Sequence, residues 1–185
     1  MLHERVIHFG KGAPRYVCKT AAQTASDLNR SAEQRGTHER VFCDHMSDWA
    51  DDEAPLGIRE QMWGVIRDTP NLDWLMLTKR ASRIERYLPS DWGNGYANVW
   101  LGVTAENKAN GYPRVDILRT VPAVIRFLSI EPLLEDVSDI NLTGIHWIIV
   151  GGESGSKARP FELDWARNLK TVARRYKSKF FMKQL

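Results

Sequence analysis

Cysteine is nearly missing from this 185-residue chain, and the two present, Cys18 and Cys43, are too few for a disulfide framework. Their spacing matches no short metal-ligand or redox motif, so reduced thiols in a cytoplasmic protein are the expectation. Histidine offers no metal centre either: His3, His8, His38, His45 and His146 are scattered, and His45 alone falls in a strand-end loop. No uncharged apolar stretch approaches the roughly 18 residues of a membrane-spanning helix, and the first ten residues have no apolar signal core. Charge of one sign is also lacking. With 26 Lys and Arg against 23 Asp and Glu the net charge is +3, and acids and bases are interspersed, so no basic stripe is read and the charge says little about partners. Internal repeats and low-complexity tracts are absent. What remains is the composition of an ordinary globular domain, 43% hydrophobic and 26% charged.

Against that background the chain has a rhythm. Residues 1–36 read as an N-terminal extension: the first 16 hold Gly10, Gly12 and Pro14 and no periodic element, and a surface helix is expected over 17–34, ended by Gly36. Residues 37–185 read as a βα-repeat domain. Short apolar runs at 41–43, 73–77, 99–103, 124–130, 146–150 and 179–182 are strands. Helical faces follow several of them: Ile58, Met62, Val65 and Ile66; then Ile84, Tyr87 and Leu88 up to Pro89; then Val115, Ile117 and Leu118; and finally Leu163, Ala166, Leu169, Val172 and Tyr176. Strands separated by helices pair in parallel. An eightfold barrel needs about 250 residues, so six strands imply an α/β fold built as a partial (βα) barrel or an open parallel sheet, with a doubly wound order as a further option.

In such folds the βα loops emerge together at the carboxyl ends of the strands, and a ligand site is expected there. The run 146–150 delivers Gly151-Gly152-Glu153-Ser154-Gly155 to that end, where glycine admits close approach to the backbone. Asp44 and Glu131 each follow directly on an apolar strand, a costly place for a carboxylate unless it is paired or ligand-bound. Asp44, Lys79, Glu106, Glu131 and Glu153 are therefore the candidate catalytic residues. Ser47, Asp48, Arg80, Thr104, Asn107, Gly151, Gly152, Ser154, Arg159 and Lys183 are candidate ligand-binding residues. Plainer readings stand beside these. Ser47, Asp48, Thr78 and Asn107 precede helices and suit N-caps, and Lys79, Arg159 and Lys183 could bind the carboxylates in a structural ion network. The carboxylates could also hold a hard cation or act as an acid/base pair, and spacing does not choose. Of the seven tryptophans, Trp74, Trp100 and Trp147 lie in strands and Trp63 and Trp165 in helices, positions that suit packing better than base stacking.

Seven blocks carry a family resemblance: Gly-Lys-Gly-Ala-Pro-Arg (10–15), Val-Phe-Cys-Asp-His-Met-Ser-Asp-Trp (41–49), Leu-Asp-Trp-Leu-Met-Leu-Thr-Lys-Arg (72–80), Asn-Val-Trp-Leu-Gly-Val-Thr-Ala-Glu-Asn (98–107), Arg-Phe-Leu-Ser-Ile-Glu-Pro-Leu-Leu (126–134), Ile-Val-Gly-Gly-Glu-Ser-Gly (149–155) and Phe-Phe-Met-Lys-Gln (180–184). In this order, and over nearly the whole length, the chain resembles a phage and prophage family of unknown function. Full-length members look like radical S-adenosylmethionine proteins, with three clustered cysteines suited to a [4Fe–4S] cluster ahead of a partial βα barrel. The resemblance implies the barrel body and makes S-adenosylmethionine a candidate ligand. This chain is expected to start downstream of the cysteine segment, and Cys18 and Cys43 cannot replace three close thiolates, so no cluster is expected in it. Gly151-Gly152-Glu153 is similar to a methionine-binding motif of radical enzymes, but it follows a late strand instead of an early one, and the role is not transferred.

Two functional expectations result. In the first, an enzyme remnant or subunit binds a small charged ligand at the strand ends. In the second, the same mouth is a non-catalytic nucleotide or nucleic-acid pocket in which Lys79, Arg80, Arg159 and Lys183 contact phosphate. No membrane partner is expected. An N-terminal strand and helix missing relative to full-length members would leave a sheet edge exposed, which predicts a homodimer or marginal solubility.

Overall fold

The structure is a computed structural model that describes residues 11–15, 17–43 and 47–185. Its elements are α1 (Ala21–Arg35), β1 (Glu39–Cys43), α2 (Ile58–Arg67), β2 (Leu72–Thr78), a 3-10 turn (Ala81–Arg83) leading into α3 (Ile84–Tyr87), β3 (Val99–Thr104), α4 (Lys108–Thr120), β4 (Ile125–Ile130), β5 (Trp147–Gly151), α5 (Leu163–Tyr176) and β6 (Lys179–Gln184). All neighbouring strands pair in parallel, and their order in the sheet is their order in the chain. The result is an α/β fold of six parallel strands curled into a half-barrel with helices in between. A doubly wound sheet reverses its strand order at a switch point, and this sheet never does.

The strands are apolar on both faces: helices cover one, and the curl of the sheet shelters the middle of the other. Alternate residues such as Trp74, Met76, Leu101, Val103, Leu128, Ile130, Ile148 and Val150 join the main core with Ile66 of α2, Val115 and Leu118 of α4, and Leu169 and Val172 of α5. The other face, which the curl makes concave, carries a smaller cluster of Leu75, Phe127 and Ile149, flanked by Leu77, Trp100 and Trp147. Gly102 makes that cluster possible. A Cβ there would run into the ring of Phe127, so the missing side chain on β3 is the space into which β4 places its aromatic. Trp100 and Trp147 meet edge to face at 5.6 Å beside it. β1 and β6 end the sheet, each with a neighbour on one side only among the described residues, and each shows a half-exposed phenylalanine, Phe42 and Phe181.

Helix α1 ends at Gly36, whose left-handed φ of 62° lets its N–H reach the carbonyls of Ala32 and Glu33. It begins four residues later than the sequence pattern predicts. Ala25 and Ala32 are its buried residues, and the Asn29 side chain accepts the N–H of Asn71 ahead of β2. The expected helix at 84–88 is a single turn, because the chain leaves Thr78 through a 3-10 turn and Pro89 follows at once. Among the described residues no helix is long and apolar enough to cross a membrane.

Candidate functional site

At the carboxyl ends of the strands the half-barrel encloses an open hollow of about 660 Å³. Its floor is apolar, formed by Leu77, Ile149, Phe42 and Phe181, and its rim is polar, with Ser47, Asp48, Thr78, Lys79, Thr104, Ser129, Glu131, Glu153, Ser154, Lys183 and Gln184. The period-two alternation of strands produces this layering: the concave residues of β5 run Trp147, Ile149, Gly151, from wide aromatic to no side chain as the strand nears its end.

Glu131 sits at the centre. It follows β4, and its Oε2 accepts from Ser129 Oγ at 3.3 Å and pairs with Lys183 Nζ of β6 at 3.3 Å. That pair spans the intervening strand β5, which is open there because Gly151 has no side chain. A Cβ at Gly151 would stand 2.9 Å from Glu131 Oε1. Oε1 itself is buried and accepts no hydrogen bond among the described residues, an expensive condition for a carboxylate oxygen. The neighbouring Gly152 is held by backbone and side chain of Gln184, through its N–H at 3.2 Å and its carbonyl at 2.8 Å.

The other charges of the mouth are matched. Lys79 Nζ lies 3.3 Å from Glu106 Oε1, and Arg114 of α4 donates to Glu106 Oε2 at 2.7 Å. Burial pushes the Glu106 carboxyl up, but its own backbone N–H and the cations Arg114 and Lys79 outweigh that and hold it below the usual range. Glu153 accepts from the side chain and backbone N–H of Arg159, with a closest approach of 2.7 Å, and the guanidinium holds its carboxyl down at about 2. Arg80 bridges Asp48 at 3.0 Å and Asp51 at 3.3 Å, and Arg15 reaches Asp51 at 2.8 Å, tying residues 11–15 to this rim.

Of the residues picked from the sequence, Ser47, Asp48, Lys79, Thr104, Glu131, Gly152, Glu153, Ser154 and Lys183 line the hollow, and Gly151 lies against Glu131. Glu106, Arg80 and Arg159 stand behind it as ion-pair partners. Asn107 caps α4, accepting the N–H of Asn110 at 2.8 Å. Asp48 accepts from the Thr78 hydroxyl at 2.6 Å and from the N–H groups of Lys79 and Ala50, so it knits the loop after β1 to the end of β2. Asp44 lies outside the described residues. Among the described residues no group of three or more His, Cys, Asp or Glu is placed to hold a metal ion. The sequence reading missed Phe42, Leu77, Ile149 and Phe181, whose signal is alternation within the strands, masked because the opposite face is equally apolar.

The fold and its strand-end hollow define the class: a half-barrel α/β protein. Residues 4–185 match a family described as a protein of unknown function (DUF5131), and the chain belongs to that family. No curated protein and no solved structure matches it.

Proposed function

We propose that this protein is the barrel body of a phage-type, radical-SAM-like enzyme and binds a small charged organic ligand in the strand-end hollow. The observation that carries this reading is Glu131 Oε1, buried without a donor beneath the side-chain-free Gly151. A ligand amine or hydroxyl supplies the missing donor. The exposed ammonium groups of Lys79 and Lys183 attract an anionic group on the same molecule, and Leu77, Ile149, Phe42 and Phe181 offer it an apolar surface. S-adenosylmethionine combines an ammonium, a carboxylate and a flat heterocycle, which fits this donor set. Two cysteines do not make a three-thiolate site, so no radical step is derived for this chain. Glu131 is the candidate acid/base group because it keeps an oxygen free. Lys79, Glu106 and Glu153 orient the rim through their pairs.

Thermal unfolding with S-adenosylmethionine, adenosine and free amino acids tests the reading. A binder at a hundred times its Kd stabilises the fold by about 2.7 kcal/mol. Glu131→Leu, and Gly151→Val acting by displacing Glu131, abolish the stabilisation. If none of these ligands raises the melting temperature, or both variants still respond, the site is wrong. The edges of β1 and β6, each without a second neighbour among the described residues, further suit pairing with a second copy of the chain. A single monomeric species in sedimentation at the highest attainable concentration would remove that part.

A further inference from the structure

The acids and bases are evenly mixed only on average. Residues 163–185 hold seven Lys and Arg against one acid, Asp164, so the preceding 162 residues are net −3 in a chain of net +3. The fold gathers most of this charge on one surface. α5 buries Ala166, Leu169, Val172 and Ala173, and the helical period then directs Arg167, Lys170 and Arg174 away from the core, with Arg175 beside them and Lys177 at the C-cap. All five are exposed. Arg167 pairs with Asp164 at 2.7 Å, whereas Lys170, Arg174, Arg175 and Lys177 have no carboxylate within ion-pair distance among the described residues. The carbonyl end of the helix favours a cation in the last turn, which accounts for Arg174 or Arg175 but not for Lys170 in mid-helix.

We propose that the outer face of α5 docks on the phosphate backbone of duplex nucleic acid, a surface separate from the strand-end hollow. From Lys170 to Lys177 the face runs about 10 Å along the helix axis, close to three phosphate steps of one strand at about 3.4 Å each. A lipid surface suits it less, because the apolar side of α5 is already buried in the core and a helix lying in a membrane needs that side free. The face also lacks a free amide for reading base edges, since Asn168 is held by Asp136 at 2.9 Å. Binding is therefore independent of sequence and strongly dependent on salt.

Fluorescence anisotropy with a labelled mixed-sequence DNA duplex, titrated between 50 and 200 mM salt, tests this. The expected result is a steep fall in affinity with salt. Lys170→Gln/Arg174→Gln/Arg175→Gln weakens binding by about tenfold or more at the low-salt end and lowers the log–log salt slope by about 2.7. Lys19→Gln/Arg30→Gln/Arg86→Gln, which removes the same charge elsewhere, changes affinity by less than about threefold. Circular dichroism establishes that both variants are folded. The proposal is overturned if the α5 variant binds as tightly as the parent, if the control loses as much, or if the parent binds phosphatidylserine vesicles and not the duplex.

Discussion

The cations at the mouth of the half-barrel and those on α5 are the same residue types in one chain, yet they live in different surroundings. Lys79, Arg80, Arg159 and Lys183 each stand within 3.3 Å of a carboxylate. Lys170, Arg174, Arg175 and Lys177 face solvent without one among the described residues. The sheet explains the difference. Parallel neighbours bring loop after loop to the same rim, so Glu106 after β3 meets Lys79 after β2, and Glu131 after β4 meets Lys183 of β6 across Gly151. Among the described residues nothing packs over the outer face of α5, whose cations are exposed. A matched cation spends part of its field on holding its carboxylate in place, while an unmatched one projects all of its field outward. A tally of Lys and Arg does not separate the two roles. Geometry does.

If the comparison is right, substitutions at the mouth disturb the fold and those on α5 do not. The largest effect is expected for Asp48→Ala, which removes the partner of the Thr78 hydroxyl, two backbone N–H groups and Arg80. It costs about 3 kcal/mol in urea unfolding. Arg114→Ala leaves Glu106, whose side chain is 13% exposed, facing Lys79 alone, and costs about 2 kcal/mol. The Glu106 carboxyl rises with it, so the variant loses stability at a higher pH than the parent on acidification. Arg159→Ala moves the Glu153 carboxyl from about 2 back toward 4.5, read by NMR titration. Because the folded value is the lower one, the pair contributes stability above pH 4.5, and that contribution disappears as pH falls toward 2. The smallest effect is expected for Lys170→Gln/Arg174→Gln/Arg175→Gln, within about 0.5 kcal/mol of the parent. An α5 variant as unstable as Asp48→Ala would mean that those cations have structural partners, and the comparison would collapse.

Much of the architecture was legible in the sequence because its signals are local. The apolar runs, Gly36 and Pro89 mark the ends of elements by backbone chemistry alone, and every expected strand forms within a residue or two of its pattern. The helix at 84–88 was overread, since Ile84, Tyr87 and Leu88 keep helical spacing through a segment that folds as a 3-10 turn and one helical turn. The strand ends were legible as a place but not as an arrangement. That Glu131 reaches over Gly151 to Lys183 depends on which strands are neighbours and on a missing Cβ, neither of which spacing encodes. The basic face of α5 was hidden for another reason: averaging charge over the chain cancelled Arg174 and Arg175 against acids that lie elsewhere in the fold.

The unreversed strand order has a consequence for how the molecule is made. Each strand finds its partner one connection further along, so synthesis from the N-terminus supplies the pairs in the order in which the sheet extends. Among the described strands no early one waits for the last, as it must when a barrel closes on itself. Each loop closure is short and of similar entropic cost. Assembly can thus advance as a zipper during translation, each new strand adding to an edge already laid down.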